Sequence, residues 1–220
     1  MIFQDCLELE RQELIRAFDK DLLPPVIAVR EIDLLLTNPV LNGERLIPVS
    51  GIRKGNAYAW FQNGISSCWV RASYGNYRTA YLKYANEFLG FDESKLPQDF
   101  DIDHLFNQSR GLKHKEGFLR IFRVAKNINR SHGVVVEGRL TKTEKKRDIK
   151  LMHFMTFFAI LKILGVKVPK NKEDSEKMEI AVNAITATGN WSHDVVYQAL
   201  LNLLDRLNSP QDIITIKVKD

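Results

Sequence analysis

The spacing of apolar residues predicts several amphipathic helices distributed along the chain. Apolar positions that recur every three or four residues predict helices over Asp5–Lys20, Tyr77–Leu89, Thr143–Leu164, Glu176–Thr186 and Asp194–Leu207. Proline or glycine follows most of these segments, and neither residue continues a helix well. The second helix carries an aromatic stripe, which is more typical of a buried core than of a surface that stacks on bases.

Shorter runs of apolar and β-branched residues predict strands between these helices. The predicted strands are Leu46–Ile52, Phe100–Phe106, Phe118–Ala125 and Ile213–Val218. The mixture of helices and strands without regular alternation indicates the α+β class. We expect three segments, namely a mixed N-terminal scaffold over 1–98, a central unit over 99–150 and a helical region over 151–220 that packs with the rest.

Composition narrows the class of protein without changing this prediction. Of the 220 residues, 45% are hydrophobic and 27% are charged, which is typical of a globular domain. No apolar run reaches the roughly 18 residues that span a bilayer, since Lys162 and Lys167 interrupt the longest one. Acidic residues near the start do not fit a signal peptide, so a cytoplasmic protein without membrane contact is expected. Cys6 and Cys68 lack metal-ligand spacing, so no zinc site is expected.

The positive charge is concentrated near the middle of the chain. The net charge is +5, and basic residues outnumber acidic ones between Lys113 and Lys150. A basic surface of this kind attracts nucleic acid. The predicted nucleic-acid contacts are Arg110, Lys113, Lys115, Arg120, Arg123, Lys126 and Arg130.

The same part of the chain gathers the polar residues that could carry chemistry. Phe100–Gly133 contains Asp101, Asp103, His104, Asn127, Asn129 and His132. Two predicted strands joined by a basic connection are followed by a segment that could start a helix, so a compact ββα unit is expected. Hydrolysis of a phosphodiester needs a base and a cation held by hard oxygen ligands. Histidine suits the base, and carboxylate or amide oxygens suit Mg²⁺.

The motif over about residues 99–133 resembles that of HNH endonucleases. Asp101-Ile102-Asp103-His104-Leu105, followed by Gln108-Ser109 and then Asn129-Arg130-Ser131, is most similar to the HNH domains of type II CRISPR effector nucleases. The position of the family's middle asparagine falls near Arg120, which is a departure from the motif. The resemblance implies a ββα-metal unit embedded in a mainly helical scaffold.

The resemblance also implies roles for individual residues. It assigns His104 as the general base, and Asp103 and Asn129 as ligands of one Mg²⁺, which Mn²⁺ can replace. Asp101 would support this site. The residues leave Asn127 open as an alternative to Asn129, and His132 open as a further ligand or phosphate contact.

A DNA endonuclease is therefore the leading hypothesis, with RNA open as a substrate. By analogy with small HNH proteins, it would act in phage defence or in a mobile element, with a partner such as an ATPase. The alternative is a non-catalytic nucleic-acid or protein-binding module with a degenerate HNH-like fold. In a regular strand Asp103 and His104 face opposite ways, so they reach one site only if the chain bends there.

Overall fold

A computed structural model describes residues 27–36, 38–62, 65–91, 97–113, 117–137, 157–189 and 191–208, together with Glu8 and Arg11. The strands are β1 (Ala28–Val29), β2 (Arg45–Pro48), β3 (Ala57–Gln62), β4 (Ile65–Arg71), β5 (Phe100–His104) and β6 (Phe118–Ala125). The α-helices are α1 (Pro39–Asn42), α2 (Tyr77–Leu89), α3 (Gln108–Lys113), α4 (Lys126–His132), α5 (Phe157–Leu164), α6 (Ser175–Thr186) and α7 (His193–Asn208). A 3₁₀ turn covers Ile32–Leu35, and a π-helical turn over Gly133–Glu137 continues α4.

All six strands belong to one antiparallel sheet with the order β1-β6-β4-β3-β2, and β5 also pairs with β6. The backbone of Arg120 shows how β6 is shared. Its N–H donates to the carbonyl of Ile27 at 3.0 Å, and its carbonyl accepts from the N–H of Leu105 at 2.9 Å. The segments that contain β1 and β5 therefore follow one another along one edge of β6, and β4 lies along the other.

The central position of β6 follows from its sequence, Phe-Leu-Arg-Ile-Phe-Arg-Val-Ala. Every residue of the strand is buried except Ala125, which is partly buried. Ile121 packs in the cluster that contains α2, and Phe122 packs in the cluster that contains α5, α6 and α7. A strand covered on both faces needs apolar residues on both, so its pattern is nearly continuous.

Helix α2 covers one face of the sheet, and α5 packs against β6 on the other face, with α6 and α7 packed in turn against α5. The aromatic stripe of α2 lies in the core, where Tyr81 and Tyr84 are fully buried against Ile102 and Ile121. The stripe is thus packing surface, as the sequence predicted, and α2 has the predicted bounds. Among the described residues, no helix is long and apolar enough to cross a membrane.

The α+β class is confirmed, because helices pack on an antiparallel sheet, and the mainly helical scaffold around a ββα unit stays a prediction. Four strands between Ala28 and Arg71 form most of the sheet. Strand β5 ends at His104, two residues before the predicted end at Phe106. The predicted helix over Asp5–Lys20, apart from Glu8 and Arg11, and the predicted strand over Ile213–Val218 lie outside the described residues.

Strand β5, strand β6 and helix α4 occur in the predicted order, but α3 lies between the two strands, and β6 is a shared strand of the larger sheet. Strands from 1–98 and from 99–150 pair directly, and helices from 151–220 pack in a core with Phe122. The ββα-metal unit and the three-segment division stay predictions.

Candidate functional site

The strand β5 presents Asp103 and His104 to opposite faces of the sheet. His104 shares the α2 side with Ile102 and lies against the ring of Tyr77, with 4.3 Å between ring centroids. Asp103 instead meets Lys162 of α5. This alternation is the normal period of a strand, and the bend that would bring both side chains to one point is absent up to His104.

The ammonium of Lys162 joins two carboxylates inside the protein. Its Nζ lies 2.7 Å from Oδ2 of Asp103 and 3.1 Å from Oε1 of Glu137. The Lys162 side chain is 4% exposed, whereas the carboxylate side chains of Asp103 and Glu137 are 23% and 24% exposed. The charged group is therefore presented from the core side, and the carboxylates keep a solvent-facing side.

Lys162 occupies this position because α5 is apolar around it. The helix reads Phe-Phe-Ala-Ile-Leu-Lys-Ile-Leu, and its neighbours Leu161 and Ile163 are completely buried. Burial alone lowers the pKa of Lys162, but the charges and hydrogen bonds of Asp103 and Glu137 outweigh it and raise that pKa. Burial raises the pKa of Asp103, and the Lys162 ammonium reverses this and lowers it. Asp103 and Lys162 are therefore both held in their charged forms.

Glu137 reaches this cluster from the π-helical turn that follows α4. Its other oxygen, Oε2, accepts a hydrogen bond of 3.0 Å from Nδ2 of Asn107. Both oxygens of the carboxylate are thus bonded, which fixes its orientation toward Lys162. A π-helical turn inside or beside an α-helix is frequently found at functional sites.

The imidazole of His104 is buried and incompletely hydrogen-bonded. The residue is 3% exposed, and its Nε2 has no hydrogen-bond partner in the part of the chain that the structure describes. Burial lowers the pKa of His104 to about 4, although the charges of Asp103 and Glu137 act in the opposite direction. The ring is therefore neutral at pH 7. Burial also favours the neutral form of the neighbouring Tyr77, and it does so by raising the pKa of that phenol.

The remaining predicted polar residues lie around this centre with different environments. Asp101 forms an ion pair of 3.6 Å with the exposed guanidinium of Arg78. Asn127 is exposed, and its Oδ1 accepts from the backbone N–H of Ile128 at 2.8 Å. Asn129 is partly buried within α4, which begins three residues earlier, so it does not cap the helix. No hydrogen bond joins its side chain to Asp103 within the described part of the chain.

His132 is a core residue in the structure. It is 2% exposed, and its Nε2–H donates to the carbonyl of Val166 at 3.1 Å, since a carbonyl can only accept. Burial lowers the pKa of His132 to about 4 despite this hydrogen bond. The role of ligand or phosphate contact that the sequence left open does not agree with this burial.

The predicted nucleic-acid contacts divide into buried and accessible residues. Arg120 and Arg123 are 3% and 0% exposed, and the guanidinium of Arg123 lies over the rings of Tyr81 and Phe91. Their prediction as phosphate contacts is wrong for this conformation, because both belong to the core.

The accessible residues lie on α4. Lys126 is partly buried, and its Nζ donates to the carbonyl of Gln98, whereas Arg130 is exposed. The side chains of Arg110 and Lys113 and the whole of Lys115 lie outside the described part of the structure.

The ligand chemistry fits Mg²⁺ in a different combination from the predicted one. Mg²⁺ binds hard oxygen atoms, commonly from one or two carboxylates, and keeps several waters or phosphate oxygens. Asp103 and Glu137 provide two such carboxylates that already converge on one cation. No group of three or more His, Cys, Asp or Glu side chains is placed to bind a metal among the described residues.

Sequence reasoning missed Lys162, Glu137 and Tyr77, although two signals were present. Lys162 is a charged residue inside an apolar helix, and Glu137 is one of few acids in a basic window. A lone charge in such surroundings usually has a buried partner. Nothing in the sequence indicates which partner, because Asp103 and Lys162 are 59 residues apart.

Comparison of this chain with known proteins identifies no relative. No protein-family model matches the chain, and neither the curated proteins nor the solved structures contain a match.

Proposed function

We propose that this protein is a Mg²⁺-dependent endonuclease of the HNH type that hydrolyses phosphodiester bonds in DNA. The observation that carries the proposal is the buried, neutral imidazole of His104, whose Nε2 lacks a partner in the described part of the chain. His104 directly follows Asp103 in the chain, and the carboxylates of Asp103 and Glu137 both bind the ammonium of Lys162. The Asp-x-Asp-His motif supports the same assignment.

In this proposal His104 is the base. At neutral pH its ring is unprotonated, so Nε2 can accept a proton from the attacking water. Asp103 and Glu137 would hold the metal ion, and Asn129 is the further ligand that the HNH resemblance implies. Because Asp103 and His104 face opposite sides of β5, the end of this strand has to bend for both side chains to act on one phosphate. Mg²⁺, when bound, supplies charge neutralisation on the scissile phosphate.

Access to His104 requires a local movement. The ring of Tyr77 covers the imidazole, and Tyr77 is the first residue of α2. The first turn of a helix lacks part of its backbone hydrogen bonding, so a shift of Tyr77 costs less there than in the middle of the helix. The exposed cations Arg78 and Arg130 are suitably accessible for the phosphates of an incoming strand.

Cleavage of supercoiled plasmid DNA tests the proposal. With Mg²⁺ or Mn²⁺ the wild type is expected to produce nicked circles, and His104→Gln is expected to reduce the rate by about 10²-fold or more. His193→Gln is the matched control, because His193 is exposed at the start of α7 and pairs with Glu179 at 3.1 Å. Absence of cleavage by the wild type, or equal cleavage by His104→Gln, would contradict the proposal.

A second candidate is a non-catalytic binding module, and one observation favours it. The Lys162 ammonium already pairs with both carboxylates, and the Tyr77 ring covers His104, which together give a stable buried arrangement. This candidate predicts that fluorescein-labelled DNA or RNA binds without being cleaved. Binding that is equal for wild type and His104→Gln, with no product, would select it. For both candidates, we propose a cytoplasmic location and an ATPase partner by analogy with small HNH proteins.

A further inference from the structure

We propose that the connection between β2 and β3 carries a docking surface for the phosphate backbone of DNA. The surface consists of Arg53, Lys54 and Arg71, and we name these three residues the basic turn. They lie outside residues 110–130, where the sequence predicts the nucleic-acid contacts. The inference deepens the proposed function, on which it rests for the choice of DNA as the polyanion.

The segment Arg53-Lys54-Gly55-Asn56 forms a β-turn that presents its first two side chains to solvent. The N–H of Asn56 donates to the carbonyl of Arg53 at 3.1 Å, and Gly55 has a φ of 90°. A positive φ at the third position is typical of a type II turn and favours glycine there. Arg53 and Lys54 are both exposed in this conformation.

Arg71 brings a third cation to the same turn. It is the last residue of β4, and its Nε donates to the carbonyl of Gly55 at 3.0 Å. Its guanidinium also lies over the ring of Phe118, 5.3 Å from the centroid. These contacts fix an exposed side chain whose terminal nitrogens form no hydrogen bond within the described part of the chain. Their fork geometry suits the oxygens of a phosphate.

The rest of the connection is held by helix α2. The carboxylate of Glu87 accepts from the N–H and the hydroxyl of Ser50 at 3.0 and 2.8 Å. Nζ of Lys83 donates to the carbonyl of Gly51 at 3.1 Å, and Ile52 packs in the cluster that contains α2. The basic turn is therefore preorganised, which lowers the free energy that ordering of a loop costs on binding.

The charges of the basic turn are not balanced by acidic side chains. Arg53, Lys54 and Arg71 form no ion pair with the carboxylates of the described residues. Glu87, the acid that contacts this connection, is bonded to Ser50. Three like charges around one turn repel one another, and a polyanion relieves that repulsion. The regularly spaced phosphates of DNA provide such a partner.

The basic turn lies at the end of the sheet from which α2 starts. Residues 72–76 connect Arg71 to Tyr77, whose ring lies against that of His104 at 4.3 Å. The exposed Arg78 follows Tyr77, so positive charge continues along the chain from the basic turn to the start of α2. A duplex held on the basic turn would extend past this end of the sheet toward His104.

Fluorescence anisotropy of a short fluorescein-labelled DNA duplex, in EDTA so that no cleavage occurs, tests the inference. The double variant Arg53→Gln, Lys54→Gln should reduce the slope of log affinity against log salt concentration by about 1.8, because two phosphate contacts are lost. Its affinity at low salt should fall by about tenfold or more. The matched control is Lys167→Gln, Lys172→Gln, which removes the same charge from exposed positions between α5 and α6 and should leave the slope unchanged.

Three results would overturn the inference. They are equal slopes for wild type and the Arg53→Gln, Lys54→Gln variant, an equal loss in the control variant, and no binding of the duplex by the wild type. The last result would leave the basic turn to an acidic protein partner. Because this assay does not involve cleavage, a reduced slope supports the docking surface even when the plasmid assay shows no nicking, so failure of the proposed function is recognised separately.

Discussion

Lys162 is the residue that holds together the charged cluster of Lys162, Asp103 and Glu137. Its ammonium is buried, and it pairs with Asp103 at 2.7 Å and with Glu137 at 3.1 Å. A buried ion pair adds little net stability, because desolvation offsets the attraction, but removal of one partner is costly. The centre therefore tolerates the loss of all its charges better than the loss of one.

Stability measurements on charge variants test this property. Lys162→Met should lower the free energy of unfolding in urea by about 3 kcal/mol or more, because two carboxylates lose their counter-charge. The triple variant Lys162→Met, Asp103→Asn, Glu137→Gln should recover most of that loss. A triple variant less stable than Lys162→Met would contradict the account.

Stability at acidic pH depends on the two buried histidines. Burial lowers the pKa values of His104 and His132 to about 4 in the folded protein, whereas the unfolded chain binds these protons near pH 6.5. Their contribution is thus complete above about pH 6.5 and is lost as the pH falls toward 4, at about 1.4 kcal/mol per pH unit for each histidine.

Urea unfolding between pH 7 and pH 4.5 measures this effect. His132→Gln should flatten the fall in the free energy of unfolding, since one of the two groups no longer titrates. His193→Gln serves as the control, because Glu179 raises the pKa of that exposed histidine. Equal slopes for wild type and His132→Gln would show that His132 is protonated in the folded state.

At the scale of elements, Gly117 allows β1 and β6 to meet. Its N–H donates to the carbonyl of Val29 at 3.0 Å, and its own carbonyl accepts from Ala72 at 2.9 Å. A Cβ at this position would collide with the backbone carbonyl of Arg30. The glycine therefore permits the close approach of two backbones at the start of β6.

Gly117→Ala should destabilise the protein by about 1–3 kcal/mol, because rigid backbone has to move. Gly133→Ala is the matched control, since it lies in helical conformation with nothing within 4 Å of the added Cβ. Helix propensity predicts that this change leaves stability equal or higher by up to about 1 kcal/mol. Thermal unfolding followed by circular dichroism compares the two, and equal midpoints would contradict the role of Gly117.

The sequence predicts α2 and β6 with the observed bounds, but it does not reveal the β3–β4 hairpin. Ala59 packs against α2, whereas Trp60 packs in a different cluster with Trp69, so both faces are buried and no alternation is visible. One local signal was available. Asn63-Gly64 separates the two strands, and this dipeptide favours a tight hairpin, in agreement with the pairing of Gln62 and Ile65.

The candidate site depends on contacts between segments that are distant in the sequence. The motif around Asp103 and His104 is local, so its residues could be selected from the sequence. Glu137 and Lys162 approach through the packing of α4 and α5 against β6, and no local pattern encodes that packing. The burial of Arg120 and Arg123 has the same origin, because β6 becomes a shared strand only in the complete sheet.

A double-mutant cycle on DNA cleavage with Asp103→Asn and His104→Gln shows whether these two residues act together. Residues that act as one catalytic unit give single variants that are each reduced by about 10²-fold or more, and a double variant that is no slower than the slower single one. Nicking of supercoiled plasmid with Mg²⁺ is expected to show this pattern. Multiplication of the two effects in the double variant, or no nicking by the wild type, would contradict it.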